Sequence, residues 1–386
     1  MEKLKRPEII FAIFALVFGT IIMFSTIPGQ VPDELPHYYR AQEVSQCKLY
    51  NGHLNQKTDY TYNSAAGYSP VMYIGPAIGL KIGNNYYFSG RFFNLLLWTI
   101  LITIAIHITP IFKWAFFYTA LLPTSIYLGM SYSADSFNNA FAFLFIAYLF
   151  KLIYKKEPLS IKKEFPILVI FTIIGALCKG LIFPIFLTLL IPFKKHKLKI
   201  FITLLFLSLF TAYLWSSNNY TAIRPDIYPE MNKYFLLHNP FDFFLLFLNT
   251  ILISIKYWLI SGTCSLTMYI FPIPIFILIM TMFFCNLYFV PEKIYIKPIH
   301  RLLAGIIIIF HIFFTSILMY FIYTQYGSNY IEGIQGRYFI PLIPLFFIIF
   351  GQQIHSNKTQ YINLFKNLTI YTSFIILCYT CFVLKY

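Results

Sequence analysis

Residues 9–27 read IIFAIFALVFGTIIMFSTI, and residues 28–40, which follow directly, read PGQVPDELPHYYR. The first stretch carries no charge and has nearly the ~20 apolar residues that a helix needs to cross a bilayer. It is longer than a signal-peptide core, and no small-residue cleavage site follows, so it reads as a retained first membrane helix. The second stretch places two carboxylates, an imidazole and a guanidinium where that helix emerges. These two readings organise the rest of the sequence.

The apolar pattern repeats along the chain. Candidate spans are 8–27, 90–109, 114–130, 136–154, 165–193, 199–215, 268–290, 302–323, 338–354 and 364–383. The run 165–193 is too long for one helix and breaks at Cys178-Lys179-Gly180, so it reads as a hairpin of two short helices. The fold class is therefore an all-α polytopic membrane protein with about 11 transmembrane helices and short interfacial helices in its outer loops. Composition agrees: 59% hydrophobic and 11% charged residues exclude an ordinary soluble domain, and 44 Phe with 31 Tyr exclude disorder. No internal repeat or soluble domain interrupts the chain, so residues 1–386 form a single membrane domain.

The net charge of +15 would suggest nucleic acid in a soluble protein. Here it follows the positive-inside rule instead, and no nucleic-acid partner is expected. Lysines gather in short loops at Lys3 and Lys5, at Lys155, Lys156, Lys162 and Lys163, at Lys194, Lys195, Lys197 and Lys199, and at Lys293 and Lys297. With these loops and the N-terminus cytoplasmic, the outer loops are 28–89, 131–135, 216–267 and 324–337. The alternation requires that 241–260, which carries Lys256, lie at the interface or re-enter rather than cross, and 70–83 reads the same way. Of the six cysteines, Cys178, Cys285, Cys378 and Cys381 sit in apolar runs, whereas Cys47 and Cys264 fall on one side, where a disulfide could join them.

Arginine and aspartate break the charge rule. All five Asp (Asp33, Asp59, Asp135, Asp226, Asp242) and four of six Arg (Arg40, Arg91, Arg224, Arg337) fall on the outer side. Arginine binds phosphate or carboxylate through a planar fork, so the pattern points to an anionic ligand and an acid or base near the outer surface. Local ion pairing is the alternative for each Arg taken singly.

A helix starting near Asp33 would put Asp33, His37 and Arg40 on one face. Asp33 or Glu34 could then act as a general base, or Asp33, Glu34 and His37 could hold a divalent cation such as Mg or Mn. N-capping by Asp33, with Glu34 in the first turn, is the structural alternative. Arg91 begins a helix where the dipole disfavours a cation and so needs an anionic partner, either a phosphate or Asp33 and Glu34. In Ser131-Tyr132-Ser133-Ala134-Asp135, Ser133 or Asp135 could cap the next helix, and Asn138 and Asn139 follow. Lys179 sits at the hairpin break, where an ionisable group at membrane depth suggests function and snorkelling is the alternative.

Four motifs in order carry a resemblance: P-D-E-x-x-H-x-x-R (Pro32 to Arg40), Y-x-P with Gly-Arg (Tyr68 to Pro70, Gly90-Arg91), S-x-S-A-D (Ser131 to Asp135) and Q-G-R-Y-F-x-P (Gln335 to Pro341). The chain resembles a bacterial domain-of-unknown-function family of multi-pass membrane proteins that is similar to the C superfamily of glycosyltransferases (GT-C). The resemblance implies a GT-C-like bundle in the bacterial cytoplasmic membrane with an extracytoplasmic active site. It implies an inverting transferase that takes a sugar from a polyprenyl-phosphate donor and passes it to a glycan or lipid acceptor, with membrane lipids as neighbours. Asp33 would be the base or a metal ligand, with Glu34 second; Arg91, Arg337 and Arg40 would hold the lipid phosphate. The substrate-binding set is then His37, Arg40, Tyr68, Arg91, Asp135, Lys179, Gln335, Arg337 and Tyr338. Two other readings compete. A polymerase or ligase of lipid-linked glycans would use the same site. A flippase or transporter would call for repeats and midplane carboxylates, which the sequence does not offer.

Overall fold

The computed structural model describes residues 6–49, 65–155, 159–179, 181–193, 196–217, 223–224, 226–266, 271–353 and 359–385. Lys3, Lys5, Asp59, Lys156, Gly180, Lys194 and Lys195, singled out above, lie outside them.

The chain is an all-α polytopic membrane protein. Among the described residues, seven helices are long and apolar enough to cross a membrane. They are α1 (Pro7–Ser25), α4 (Tyr87–Ile108), α7 (Ala134–Ile153), α9 (Lys197–Ser217), α11 (Pro240–Thr263), α13 (Pro298–Ile322) and α15 (Thr359–Lys385). The shorter helices are α2 (Glu34–Ser45), α3 (Ile74–Ile82), α5 (Lys113–Ala120), α6 (Pro123–Gly129), α8 (Ile161–Ala176), α10 (Pro229–His238), α12 (Ile273–Tyr288) and α14 (Ile343–Phe350). A 3-10 turn, Pro70–Tyr73, leads into α3, and another, Gly336–Leu342, leads into α14.

The expected count of about eleven falls for identifiable reasons. Segment 114–130 is broken at Leu121-Leu122, because Pro123 cannot continue the preceding turn, and gives α5 and α6. The return limb of the expected hairpin is a 3-10 helix, Phe183–Leu190, not an α-helix. Segment 338–354 opens as a 3-10 turn because Pro341 and Pro344 remove two amide donors from it. Conversely, 241–260 forms one continuous helix within α11. The loop 324–337 runs beside α11 in the same direction: Asn249 bonds Asn329, Thr250 bonds Ile331, Trp258 bonds Ile334 and Ser261 bonds Gly336.

α7 is the central element. Its most apolar window is 89% buried, against 17% for α9 and 22% for α11, so α7 belongs to the protein core while α9 and α11 present apolar faces outward. α7 packs on α4, which in turn holds α1 and α3. α15 closes the other side of α1, with Phe374 packed against Phe14 and Phe18. At one end of the bundle, Phe289–Val290 pairs in parallel with Gln352–Gln353. Asp33, Asp135, Lys179 and Arg337 gather away from that pairing, at the end where α1 leads into α2. All six cysteines are free, with Cys47 exposed and Cys264 buried, so the disulfide considered above does not form.

Candidate functional site

Three chain reversals meet at that end. Asp33 follows α1 and sits at the N-cap position of α2 in the left-handed region (φ 60°), which Asp tolerates better than most residues. Its side chain makes no cap bond, so the capping alternative does not hold for Asp33. Its carboxylate instead meets Arg337, with Oδ2 2.5 Å from Nη2. Ser133 caps α7 by accepting from the Asp135 amide at 3.2 Å. That leaves the Asp135 carboxylate for tertiary contacts: Lys179 Nζ donates to Oδ1 at 3.0 Å, and Arg337 Nε lies 3.4 Å from Oδ2.

These four groups form an alternating chain, Asp33–Arg337–Asp135–Lys179. Two carboxylates balance two cations. The side chains of Arg337 and Asp135 are nearly closed off (7% and 4% exposed), whereas Asp33 is 59% exposed. Asp33 is therefore the member that an incoming molecule reaches first. Burial works against the charge on Lys179, but Asp135 against it outweighs this and raises its pKa, so Lys179 is an ammonium. Its Nζ also stands 4.3 Å over the Tyr68 ring, and the Arg337 guanidinium lies 5.7 Å from the Tyr338 ring. Gln335 ends the extended segment before the 3-10 turn, where its carbonyl accepts from the Tyr338 amide.

Polar atoms without partners concentrate here. Among the described residues, Asn138 Oδ1 and both side-chain polar atoms of Asn139 are buried with no hydrogen bond, while Asp135 Oδ2 and Arg337 Nε have only their mutual ion pair at 3.4 Å. Asp135, Asn138 and Asn139 are one turn apart on α7 and share a face. A buried polar group left unbonded costs about 1–3 kcal/mol, so this face is built to receive further polar atoms.

The remaining predicted residues divide. Glu34 and Arg91 are fully buried and face each other: Arg91 Nε donates to Oε1 at 2.8 Å and Nη2 to Oε2 at 2.6 Å. The other Arg91 donors reach the carbonyls of Met23, Thr26 and Ile27, while Glu34 accepts from the amides of Gly29 and Tyr132. Arg91 does find the anionic partner that its place on the helix demands. Its donors are taken up by this pair and by the end of α1, which it locks to α2 and α4. Arg40 is also closed, by Glu43 and by the carbonyls of Tyr68, Lys48 and Leu49. His37 lies 2.6 Å from the Tyr73 hydroxyl and stacks on Tyr68. Burial pushes its pKa well below 6.5, helped by Lys179 and Arg337 and opposed by Asp135, so the ring is neutral.

The expected triad of Asp33, His37 and Arg40 on one helix face is not formed, because each side chain is drawn to a different partner. Nor does the donor set fit a divalent cation. Asp33 is turned to Arg337, Glu34 to Arg91 and His37 to Tyr73, and among the described residues no three His, Cys, Asp or Glu side chains converge.

One feature of the site has no single-residue signal in the sequence. An apolar groove of about 310 Å3 runs between α11, α12, α13 and α14. Its walls include Trp258, Leu259, Phe339 and Ile340, and it reaches Gly336, the residue before Arg337. A Cβ on Gly336 would fall on the Trp258 carbonyl oxygen, so only glycine allows α11 to approach this closely.

No curated protein and no solved structure matches the chain. A family model does match, over residues 51–346, which include Asp135, Lys179 and Arg337 but not Asp33 or α2. The chain belongs to the family described as predicted membrane protein (DUF2142).

Proposed function

We propose that the chain is a membrane glycosyltransferase that moves a sugar from a polyprenyl-phosphate-linked donor to a glycan or lipid acceptor on the extracytoplasmic side. One juxtaposition supports this reading: the Asp33–Arg337–Asp135–Lys179 chain lies next to an apolar groove that reaches Gly336, the residue before Arg337. A ligand with an anionic head and a long apolar tail is the molecule whose two parts match both features.

The charges suggest an order of events. Arg337 and Lys179 are already neutralised, so a phosphate must displace a carboxylate, and Asp33 is the exposed one. Once displaced, Asp33 is a free carboxylate beside the bound donor. It takes the proton of the acceptor hydroxyl as that oxygen bonds to the anomeric carbon. The bond from that carbon to the phosphate oxygen breaks, and its electron pair leaves with the phosphate, where Arg337 and Lys179 stabilise the charge. Asp135 holds both cations in place, and the unbonded Asn138 and Asn139 amides offer partners to sugar hydroxyls. The Glu34–Arg91 pair is framework in this reading.

The test compares wild type with Asp33→Asn in proteoliposomes supplied with polyprenyl-phosphate sugars and a cell-envelope acceptor, following the lipid-linked sugar by mass spectrometry. Consumption by wild type alone is expected. Equal consumption by both moves the base elsewhere. Movement of a labelled lipid across the bilayer, without consumption, replaces transfer with transport.

A further inference from the structure

A second cleft lies further along the loop that ends in Arg337. It has about 680 Å3 and opens between the start of α11, the α10 helix and residues 326–329. Leu245, Leu246 and Ile253 give it an aliphatic wall, Phe235 and Tyr326 give it aromatic surface, and Tyr326 is about half exposed. Asp242, Asn249 and Ser328 supply polar groups. Asp242 is the only charged residue among its described lining residues, and its carboxylate has no hydrogen bond or ion pair among the described residues. Asn249 spends its amide NH2 on the Asn329 carbonyl at 2.7 Å, which fixes the side chain and leaves its oxygen as an acceptor.

A charged network stands beside the loop that borders the cleft. Arg224 bonds both Asp226 and Glu332, and Gln325 also bonds Asp226, in a partly exposed network beside the same loop. Burial of such a network in hydrocarbon would be costly. A lipid tail is therefore the wrong occupant, and the lone carboxylate repels phosphate. An exposed aromatic ring with a carboxylate and an amide oxygen suits a neutral ligand rich in hydroxyl donors and carrying an apolar ring face, which is the chemistry of a saccharide.

We infer that this cleft binds a segment of an oligosaccharide acceptor, away from the point of transfer. The assignment rests on the transferase reading only for the word acceptor; the saccharide chemistry stands on the cleft. From Asn249 to Gly262, which touches Gly336, α11 covers about 20 Å at about 1.5 Å per residue. One molecule that occupies both the cleft and the transfer site is thus an extended glycan rather than a single sugar or a short lipid headgroup.

The experiment titrates the full chain in nanodiscs with a panel of neutral oligosaccharides (maltoheptaose, chitohexaose, a β-glucan heptamer and a mannan heptamer) and with spermidine, read by saturation-transfer NMR. Binding of at least one saccharide is expected. Tyr326→Ala and Asp242→Asn should each weaken it about tenfold, the loss that one aromatic contact or one charge-assisted hydrogen bond gives. Failure of every saccharide overturns the inference, as does binding that survives both cleft variants or binding of spermidine alone. If a saccharide binds as expected but no lipid-linked donor is consumed, the cleft assignment stands and the transferase reading falls.

Discussion

The Asp33 carboxylate and the Arg337 guanidinium meet at 2.5 Å across 304 residues of chain. Neither belongs to a spanning helix: Asp33 sits in a left-handed turn after α1, and Arg337 follows a glycine forced against α11. Strained backbone positions persist where the surroundings fix them, and they concentrate at functional sites. Here the left-handed turn at Asp33 and the close approach at Gly336 bring an exposed acid to a buried cation, and so give the anion site a carboxylate that can be exchanged.

Asp33→Asn should cost about 100- to 10,000-fold in transfer rate, the usual worth of a general base. Asparagine tolerates the left-handed conformation, and the Asp33 side chain is mostly exposed, so the thermal unfolding temperature should change little. A large loss of stability with proportionate loss of activity would remove Asp33 from the chemistry.

Glu34 predicts the opposite pattern. Glu34→Gln or Arg91→Met leaves a buried charge without its partner and should destabilise by about 3–5 kcal/mol. The double variant Glu34→Leu with Arg91→Met should recover only part of this, because Arg91 also serves three carbonyls at the end of α1. Activity per folded molecule, measured alongside unfolding in detergent, should stay near wild type in whatever variants fold. A folded but inactive Glu34→Gln would place Glu34 in the reaction.

The contrast between these two acids marks what a sequence can carry. Period and length identify α1, α4, α7, α9, α13 and α15, because a run of about 20 apolar residues has few other fates. Lys179 was expected only at membrane depth, but the gathering of Asp33, Asp135 and Arg337 at one end was legible from topology, since each lies at a helix end on the same expected side. Which acid meets which base was not, because adjacent residues in a turn point in different directions: Asp33 goes to Arg337 and Glu34 to Arg91. Arg40 looked like a ligand residue because its closing partners are mainly backbone carbonyls, which no side-chain pattern announces. The groove was hidden for the same reason: its form depends on Gly336 meeting the Trp258 carbonyl across a tertiary contact.

His37 makes the fold pH-sensitive in a defined direction. Its pKa in the folded chain lies well below the ordinary 6.5, while the unfolded chain takes up a proton near that value. Below about pH 6.5 the unfolded state therefore binds more protons than the folded one, and stability falls as pH falls. Above that range His37 is neutral in both states and contributes no slope. Unfolding temperatures between pH 5 and 8 should show this decline in wild type and a shallower one in His37→Gln. Parallel curves for the two proteins would mean that the buried ring does not govern the response.

The groove predicts a separation between binding and chemistry. Leu259 lines it and is 40% exposed, so Leu259→Trp can add bulk to the groove from its open side while the core stays as it is. A donor with a long polyprenyl chain should then show KM raised about tenfold, equivalent to about 1.4 kcal/mol, with kcat nearly unchanged. A donor with a chain too short to pass Gly336 should be indifferent to the substitution. Kinetics with the two donors check this directly, since loss of uniform binding raises KM alone. An equal change for both donors would mean that the chain lies elsewhere and that the groove is a packing feature of α11 against α14.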